Sequence, residues 1–392
     1  YSAEFIPSGA GPFALAGLGA IAILGVQRRR GWRAAGVLLL AVTMLAPCVY
    51  YTFLWNRLRY LWPFMTGWLV GLACLARVLG DLAGVLRARW RVLTPVLCGL
   101  FAGALATKLE WTLDDAAQSA SGIDRQQVAL GRWAKESLPA DARIGVNDTG
   151  AIAYFGDRRT FDVVGLTTET EGRYWVAGTG SRLEHYERLH ATSPGKLPTH
   201  FIVYPEWMAM DMVLGAPLHE AVVTDASILG GHVMRAYVAD WTLLGTGEKP
   251  WTAASAEVLD AVDVADLESE AAHRYELLGA RDHEQVARHG TTPGGADVVD
   301  GGRTERLEDR FVVSLPAGTP ARGIVRLEVP AVTGVRVTVN DVPVAAFDAD
   351  DEDGWFEHAF DLPASAAGER SVVDVRFTGP VTTFHYWFVA AL

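Results

Sequence analysis

Residues 61–79, with the sequence LWPFMTGWLVGLACLARVL, form an apolar stretch in which Arg77 is the only charged residue. A helix crosses the bilayer core with about 17–25 residues, so this stretch is long enough to be a transmembrane span. Residues 11–26, 34–54 and 92–107 are further apolar stretches of this kind. The alternative, buried helices of a soluble protein, is weaker because so many apolar stretches at regular spacing are hard to bury. The sequence therefore predicts an α-helical transmembrane bundle of about four spans over residues 1–108.

The charge of the chain changes at the end of this region. The first 108 residues contain eleven Lys and Arg against two acidic residues, a net charge of +9, whereas the remainder carries −21. By the positive-inside rule, the arginine-rich loops at residues 27–33 and 80–91 are cytoplasmic and everything after Lys108 is extracytoplasmic. An acidic exported part repels phosphate, which excludes nucleic acid as a partner. All three cysteines lie in the apolar stretches, so the exported part is predicted to fold without disulfides.

Two arginines break this charge rule. Arg57 and Arg59 lie on the predicted outer side, at the start of the third apolar stretch. A charge at that depth is costly unless it is paired or lies in a wet cavity, which makes these arginines candidates for a functional site. The alternative is that they extend to the lipid headgroups beside an interfacial belt formed by Trp55, Tyr60 and Trp62.

A family resemblance favours the functional interpretation. Residues 59–63, RYLWP, open a late apolar stretch after an outer loop, and residues 143–155, RIGVNDTGAIAYF, are followed by DVVGL at residues 162–166. In this order, flanking the last predicted span, these segments resemble the multi-spanning GT-C type glycosyltransferases of the bacterial cytoplasmic membrane. The resemblance implies transfer of a sugar from a polyprenyl-phosphate donor to a glycan, lipid or protein acceptor on the extracytoplasmic face.

The resemblance also assigns roles to residues. It implies that Arg59, with Arg57 as second choice, binds the lipid phosphate and that Tyr60 adds a hydrogen bond. Members of this family carry a catalytic acid in the first outer loop, whereas the outer segments here offer only Glu4, which precedes the first span. We therefore expect the catalytic acid to lie upstream of Tyr1, so that this chain is the C-terminal portion of the enzyme and inactive alone. No cofactor is assigned with certainty, and a divalent metal ion is left open.

Residues 109–250 have the pattern of an extracytoplasmic α/β domain, in which short apolar strands alternate with amphipathic helices. The first of these helices is expected at residues 124–138, with Asp124 as its N-cap. Asp148 follows a predicted strand and precedes a helical turn, which indicates either a binding residue at a strand end or a helix N-cap. The polar loop at residues 167–181 contains Glu169, Tyr174 and Trp175, a composition suited to sugars, although an ordinary surface loop explains it equally well. No glycine-rich phosphate loop follows a strand.

Residues 251–392 contain short alternating runs separated by turn signals, which predict a β-sandwich. The runs include residues 334–339, 371–377 and 383–389, and Asn340–Asp341 is one of the turn signals. The hairpin at residues 335–344 resembles those of galactose-binding-like jelly rolls.

Trp355, Tyr386 and Trp387 are either sugar-stacking residues or core residues, and alternating aromatics favour the core. The acidic loop at residues 348–354 fails the EF-hand pattern at two ligand positions, so no metal site is assigned there. A calcium turn of another kind is left as the alternative to a solvated acidic hairpin.

A hypothesis from a different class fits the same sequence. The chain would then be a non-enzymatic, membrane-anchored module whose extracytoplasmic domains bind a glycan or a protein. It shares with the first hypothesis a membrane lipid environment and a sugar-binding exported part.

Overall fold

The computed structural model describes residues 10–43, 65–226, 228–278, 284–350 and 354–391. The chain divides into two compact units. The first contains the residues up to Gly122 together with Asp225–Ile228, and the second contains Ile123–Thr224 together with Leu229–Leu392. Each unit is described by itself.

The first unit is helical. Its helices are α1 (Ala10–Gln27), α2 (Gly31–Thr43), α3 (Met65–Leu86), α4 (Leu93–Ala106) and α5 (Leu109–Ile123). Helix α1 packs against α2 and α3, and α3 packs against α4. Gly17 of α1 lies so close to Gly71 of α3 that a Cβ atom on Gly17 would be 2.5 Å from the Gly71 carbonyl carbon. Small residues at a helix crossing allow this approach, as is common between transmembrane helices.

Two helical segments, Thr66–Leu86 and Ala88–Ser137, are long and apolar enough to cross a membrane by length and composition. A shorter apolar helix covers Ala16–Gln27. Helices thus occur within each of the four predicted apolar stretches, and in the described part of the chain two segments meet the length and hydropathy expected of a span. The four-span bundle therefore stays a prediction.

The second unit begins with a five-stranded mixed sheet. Its elements, in chain order, are a π-helical turn (Asp124–Val128), α6 (Ala129–Ser137), β1 (Arg143–Val146), α7 (Thr149–Gly156), β2 (Arg159–Asp162), α8 (Glu171–Ala177), α9 (Thr179–Thr192), β3 (His200–Val203), α10 (Pro205–Met208), β4 (Leu214–Val222) and β5 (Val233–Ala239). The strand order is β2-β1-β3-β5-β4. Strands β2, β1 and β3 are parallel, and β5 and β4 join antiparallel. The predicted α/β architecture is thus present in the described residues.

Helices cover both faces of this sheet. Leu130 of α6 and Ile152 of α7 share one apolar cluster with Ile202 of β3. On the opposite face, Leu183 of α9 packs in a cluster with Phe201, the neighbour of Ile202 in β3. Successive strand residues point to opposite faces, so the continuous apolar run of β3 buries both of its sides.

The remaining strands form sandwich-like antiparallel sheets. They are β6 (Val258–Asp263), β7 (Glu276–Leu278), β8 (Gln285–Thr291), β9 (Asp297–Val313), β10 (Ala321–Glu328), β11 (Thr333–Val339), β12 (Val342–Ala349), β13 (Phe356–Leu362) and β14 (Ser371–Ala390), with the short helix α11 (Leu267–Ala272) after β6. Strand β14 pairs with β9 and β11 through its first half and with β10 and β6 through its second half. An apolar cluster that includes Phe311, Val337 and Phe388 forms the core.

Helix α9 joins the α/β part to the sandwich. Its Ser181 hydroxyl donates to the carbonyl of Ala265 at 2.6 Å, and the Glu184 carboxyl group accepts from the Gly301 amide at 2.7 Å. A Cβ atom on Gly180 would lie 2.9 Å from the carbonyl oxygen of Val286 in β8, which shows how closely helix and strand approach. The two parts belong to one compact unit, although the sequence suggests a boundary near residue 250.

Two sequence predictions about local elements need correction. Asp124, expected to cap the N-terminus of a helix, instead lies in the π-helical turn that directly follows α5, so no helix begins there. The strands predicted at residues 371–377 and 383–389 form one long strand, β14. The register of β14 shifts between Arg376 and Val381, so an irregularity within one strand lies where two separate strands were predicted.

Candidate functional site

A cleft of about 590 Å³ lies beside the amino ends of β1 and β2 and beneath the loop that precedes α8. Charged, hydroxyl and apolar side chains line it together. The lining residues are Arg143, Arg159, Thr160, Phe161, Thr168, Glu169, Thr170, Glu171, His185, Leu189 and Lys196. Ligand sites commonly have volumes of about 300–1,000 Å³, so the cleft has room for one or two sugar rings.

Three cations give the cleft its electrostatic character. Arg143 and Arg159 are the first residues of β1 and β2 and occupy matched register positions of these parallel neighbours. Lys196 adds a third positive charge from a 3₁₀ turn (Pro194–Lys196). Like charges on neighbouring strands repel each other, and repulsion is relieved when an anion binds between them. The cleft therefore favours a ligand with a negatively charged group.

The polar groups of the cleft are largely available to a ligand. Arg143 Nη1 donates to the carbonyl of Gly195. The side chains of Arg159, Lys196 and Glu169 are exposed and make no hydrogen bond or ion pair within the described part of the chain. The cleft thus offers two cations and one carboxylate without protein partners.

The loop that covers the cleft is held in shape by Asp162, which is fully buried at the end of β2. Asp162 Oδ1 accepts from the amides of Val164 and Gly165 at 3.0 and 3.1 Å, and Oδ2 accepts from the amide of Thr167 at 2.8 Å. Gly165 has φ +83°, and a Cβ atom there would be 1.9 Å from the amide nitrogen of Gly172, so only glycine fits. These contacts fix the loop before it reaches Glu169.

A buried hydrogen-bonded pair supports the inner wall. The Glu171 carboxylate lies 2.7 Å from His185 Nε2, and the ring of Tyr174 stacks on His185 with 3.9 Å between ring centroids. The Tyr174 hydroxyl donates to Glu268 Oε1 at 2.7 Å. Burial and the neighbouring Glu268 carboxylate raise the pKa of Tyr174, so its hydroxyl keeps its proton and remains a donor.

The structure separates the residues proposed for the polar loop. Glu169 lines the cleft. Tyr174 is buried, and Trp175 is half-buried with the Arg182 guanidinium 4.3 Å from its ring centroid. Their ring faces are thus occupied by His185 and Arg182, so these two aromatics support the wall and present no ring face to the cleft.

Asp148 lies at the opposite, carboxyl end of the strands. It occupies the N-cap position of α7, but its side chain makes no capping hydrogen bond. Its Oδ2 atom instead accepts from Gln127 Nε2 at 2.7 Å and lies 3.1 Å from the Tyr204 hydroxyl. Asp148 therefore occupies the predicted N-cap position but does not form the expected capping hydrogen bond.

Arg57, Arg59 and Tyr60 lie outside the described residues. Residues 351–353 of the acidic loop are also outside them. The proposed phosphate-binding role of the arginines therefore stays a prediction from the sequence.

The aromatics of the sandwich belong to its interior. Trp355, Tyr386 and Trp387 are 8%, 1% and 1% exposed. The indole of Trp387 donates to the carbonyl of Glu248 at 3.1 Å, and the Tyr386 hydroxyl donates to Asp309 Oδ2 at 2.7 Å. The core interpretation of these residues therefore holds.

Asp263, Asp300 and His385 form a cluster whose ligand-type atoms lie within 4.8 Å of one another. Burial by itself lowers the pKa of His385, but Asp300 and Asp263 outweigh it and raise the pKa to about 9. The imidazole is therefore protonated at neutral pH and has no lone pair for a metal. Arg326 Nη1 lies 2.5 Å from Asp300 Oδ2 and already compensates that charge. Hence this cluster is an ion-pair network that does not suit a metal ion.

A second acidic group, formed by Glu184, Glu187 and Glu248, also brings ligand-type atoms close together. Burial raises the pKa of Glu184 and of Glu187 well above the ordinary value, which disfavours their charged forms. The divalent metal that the sequence left open is assigned to neither group.

Comparisons with known proteins give limited guidance. A family model described as a domain of unknown function (DUF8728) matches residues 119–265. No curated protein matches the chain. These residues span the α/β part and the start of the sandwich, which agrees with their packing as one unit.

Several solved structures resemble a portion of the chain. A family 6 carbohydrate-binding module studied by sub-site dissection is 9% identical with a TM-score of 0.24, and the match covers 34% of this chain and 96% of the module. CsCBM6-3 from Clostridium stercorarium, solved with cellobiose, is 12% identical with a TM-score of 0.19, and the match covers 29% of this chain and 99% of CsCBM6-3. A family 35 carbohydrate-binding module from Clostridium thermocellum is 15% identical with a TM-score of 0.21, covering 30% and 98%. At this level of similarity, a functional assignment must come from the chain's own residues.

Sequence reasoning missed Arg143, Arg159 and Lys196 as functional candidates. Arg143 opens the segment at residues 143–155 but was not considered as a binding residue, and Arg159 and Lys196 belong to no motif that the sequence suggests. Their common location arises from the parallel pairing of β1 and β2, which places Arg143 opposite Arg159. A signal was present in the basic residue that begins each of these two strands, but it becomes meaningful only once the strands are known to be neighbours.

Proposed function

We propose that this chain is a membrane-anchored protein whose extracytoplasmic part binds a glycan carrying an anionic group. The observation that carries the proposal is the cleft in which Arg143, Arg159 and Lys196 converge on a space of about 590 Å³. The apolar helices of the first unit support the membrane anchor through their length and composition.

The chemistry of the lining matches such a ligand. Arginine binds carboxylate or phosphate oxygens through two parallel N–H groups and remains charged at any relevant pH. The hydroxyl groups of Thr160 and Thr170 and the carboxylate of Glu169 can exchange hydrogen bonds with sugar hydroxyls. A uronic acid or a phosphorylated sugar combines both features in one molecule.

Binding of digalacturonic acid to the full chain in detergent micelles, measured by isothermal titration calorimetry, tests the proposal. Galactobiose is the neutral comparison. We expect Arg159→Ala to weaken binding of digalacturonic acid about 10-fold or more, because it removes a charge-assisted hydrogen bond. Arg370→Ala is the matched control, since Arg370 is an exposed arginine outside the cleft. Equal affinity for the charged and neutral disaccharides, or an unchanged affinity in Arg159→Ala, would contradict the proposal.

The second candidate function is the C-terminal portion of a GT-C type glycosyltransferase that uses a polyprenyl-phosphate sugar on the extracytoplasmic face. It is supported by the resemblance of residues 59–63 and 143–166 to this family. An anion-binding exported cleft is compatible with either function. Substitution Arg59→Ala in the full-length enzyme provides the test, and unchanged turnover at normal expression would remove Arg59 from the donor site.

A further inference from the structure

The carboxyl ends of β1 and β3 lie side by side where the winding of the chain through the sheet changes direction. The strand order β2-β1-β3 means that the chain leaves β1 toward one side for β2 and returns to the other side for β3. In open α/β sheets, ligands bind outside the carboxyl ends of the strands at the point where the direction of winding changes. Asn147 and Asp148 follow β1, and Tyr204 follows β3, so these three residues mark that point.

Hydrogen bonds connect these residues across the boundary between β1 and β3. Asn147 Oδ1 accepts from the Tyr204 amide at 2.7 Å. The Tyr204 hydroxyl lies 2.9 Å from Gln126 Oε1 and 3.1 Å from Asp148 Oδ2, and Gln127 donates to the same Asp148 oxygen. Burial and the Asp148 carboxylate raise the pKa of Tyr204, so the hydroxyl keeps its proton. Tyr204 and Gln127 therefore hold Asp148 in position.

The π-helical turn Asp124–Val128 presents the two glutamines of this network. A π-helical turn is rare and often occurs at functional sites. Gln126 is fully buried, and its amide donates to the carbonyls of Gly231 and His232 at 3.1 and 3.2 Å. The irregular turn thus serves to direct two side chains toward Asp148 and Tyr204.

Two donor groups at this edge remain without protein partners. Asn147 is 3% exposed, and its Nδ2 atom has no hydrogen-bond partner among the described residues. A buried amide donor without a partner is costly, so such an atom in a native structure calls for an explanation. The first amides of α7 are the second donor group, because Asp148 makes no capping hydrogen bond. A Cβ atom at Gly150, in the first turn of α7, would meet nothing within 4 Å, so there is open space at this edge.

We propose that the carboxyl end of β1 and β3 binds a neutral sugar through a pair of adjacent hydroxyl groups. The Asp148 carboxylate repels anions, while the first amides of α7 disfavour cations. A hydroxyl group both donates and accepts, so it can donate to Asp148 and accept from the first amides of α7 at the same time. Asp148 and these amides contact the sugar, and Asn147, Tyr204 and Gln127 act as positioning residues. The site is separate from the anionic cleft, which lies at the amino ends of the strands.

The test uses the full chain in detergent micelles with methyl α-glucoside, methyl β-galactoside and methyl α-mannoside, followed by saturation-transfer NMR and calorimetry. We expect at least one glycoside to bind, and Asp148→Asn to weaken it about 10- to 100-fold by removing a charged acceptor. Asp157→Asn is the matched control, since Asp157 lies at the other end of α7 and is exposed. Absence of binding by the folded wild-type chain overturns the proposal.

A second variant keeps the test independent of the hydrogen-bond network. Gly150→Leu fills the open space beside the site without removing any polar group, and we expect it to lose glycoside binding while keeping the wild-type melting temperature. Digalacturonic acid binding at the cleft should be unchanged in Asp148→Asn and in Gly150→Leu. Glycoside binding that persists in both variants overturns the proposal, whatever the result at the cleft.

Discussion

At the scale of single residues, Arg326 is a buried cation that pairs with two buried carboxylates of the sandwich. It has no exposed surface, and its guanidinium lies 2.5 Å from Asp300 Oδ2 and 2.8 Å from Glu357 Oε1. The rings of Trp251 and Trp387 lie 4.6 and 4.7 Å from it. Arginine suits this place because it is weakly hydrated, planar and able to stack on aromatic rings while it binds carboxylates.

Replacement Arg326→Met should therefore destabilise the chain strongly. It leaves the Asp300 and Glu357 carboxylates buried without their partner, which costs about 3–5 kcal/mol in the free energy of unfolding. The matched control is Arg322→Met, four residues before Arg326 in β10, because Arg322 and its partner Asp361 are 45% and 89% exposed. An exposed pair contributes about 0–1 kcal/mol. Urea unfolding monitored by tryptophan fluorescence measures both, and similar losses in the two variants would contradict this explanation.

His385 makes the stability of the sandwich depend on pH. The histidine is buried with Asp300, Asp263 and Arg326 around it, and its pKa is raised from 6.5 to about 9. Because the folded pKa lies above the unfolded value, the folded state binds the proton more tightly, and this contribution to stability is complete below pH 6.5. It is lost as the pH rises from 6.5 through about 9.

We expect the free energy of unfolding to fall across this pH range in the wild-type chain and to fall less in His385→Gln. Burial also raises the pKa values of Glu184 and Asp263, so these acids change stability in the same direction. The difference between the two proteins isolates the histidine. Parallel pH profiles for wild type and His385→Gln would show that the histidine is not the responsible group.

At the scale of elements, α9 is unusual because residues 180–187 are all buried, including polar and charged side chains. An amphipathic helix on a sheet exposes one side, but α9 lies between the five-stranded sheet and strands β8 and β9. Its polar residues meet backbone groups of the sandwich and of the segment that leads to it. Glu184 accepts from the Gly301 amide of β9, and Glu187 accepts from the Gly245 amide, which follows β5, at 2.8 Å.

Two substitutions of Glu184 separate its hydrogen bond from its charge. Burial raises the pKa of Glu184 well above the ordinary value, which favours the neutral carboxyl group, and Glu184→Gln keeps the shape and the acceptor oxygen of that form. We expect Glu184→Gln to change the free energy of unfolding by less than about 1 kcal/mol, whereas Glu184→Ala costs about 2–4 kcal/mol through a lost bond and a cavity. Equal destabilisation by the two substitutions, in thermal or urea unfolding, would show that the carboxyl group is charged.

The sequence predicts elements better than it predicts their neighbours. The alternating pattern of residues 333–339 identifies β11 because one face of this strand is buried, and the Asn340–Asp341 turn is confirmed by positive φ values of 51° and 65°. The strands that become β14 are found, but their fusion depends on pairing with four other strands. The cleft depends on the register that places Arg143 beside Arg159, and register between distant segments has no local signal. The burial of Trp355 and Trp387 also depends on contacts between segments that are distant in the sequence.

At the scale of the molecule, the α/β part and the sandwich share one compact unit, residues 123–224 and 229–392. The buried bonds of α9 to Ala265 and Gly301 link them. A domain boundary with such a buried, hydrogen-bonded contact is not expected to open independently.

The two parts should therefore unfold together. Fluorescence of the tryptophans and hydrogen exchange of the five-stranded sheet are expected to show the same urea midpoint in the wild-type chain. Limited proteolysis is expected to spare residues 240–257 under native conditions. Separate midpoints for the sheet and the sandwich, or early cleavage in this segment, would show that the two parts are autonomous.

The position of β14 at the end of the sandwich sequence affects when the sandwich can fold. It follows every other strand of the sandwich in the chain, yet it pairs with β9 and β11 through one half and with β10 and β6 through the other. The earlier strands thus lack their shared neighbour while the polypeptide is being synthesised. We expect the sandwich to complete its fold only after residues 371–390 have been added, and chains that stop before them to stay sensitive to proteases. A single late segment would thereby distinguish complete from truncated chains.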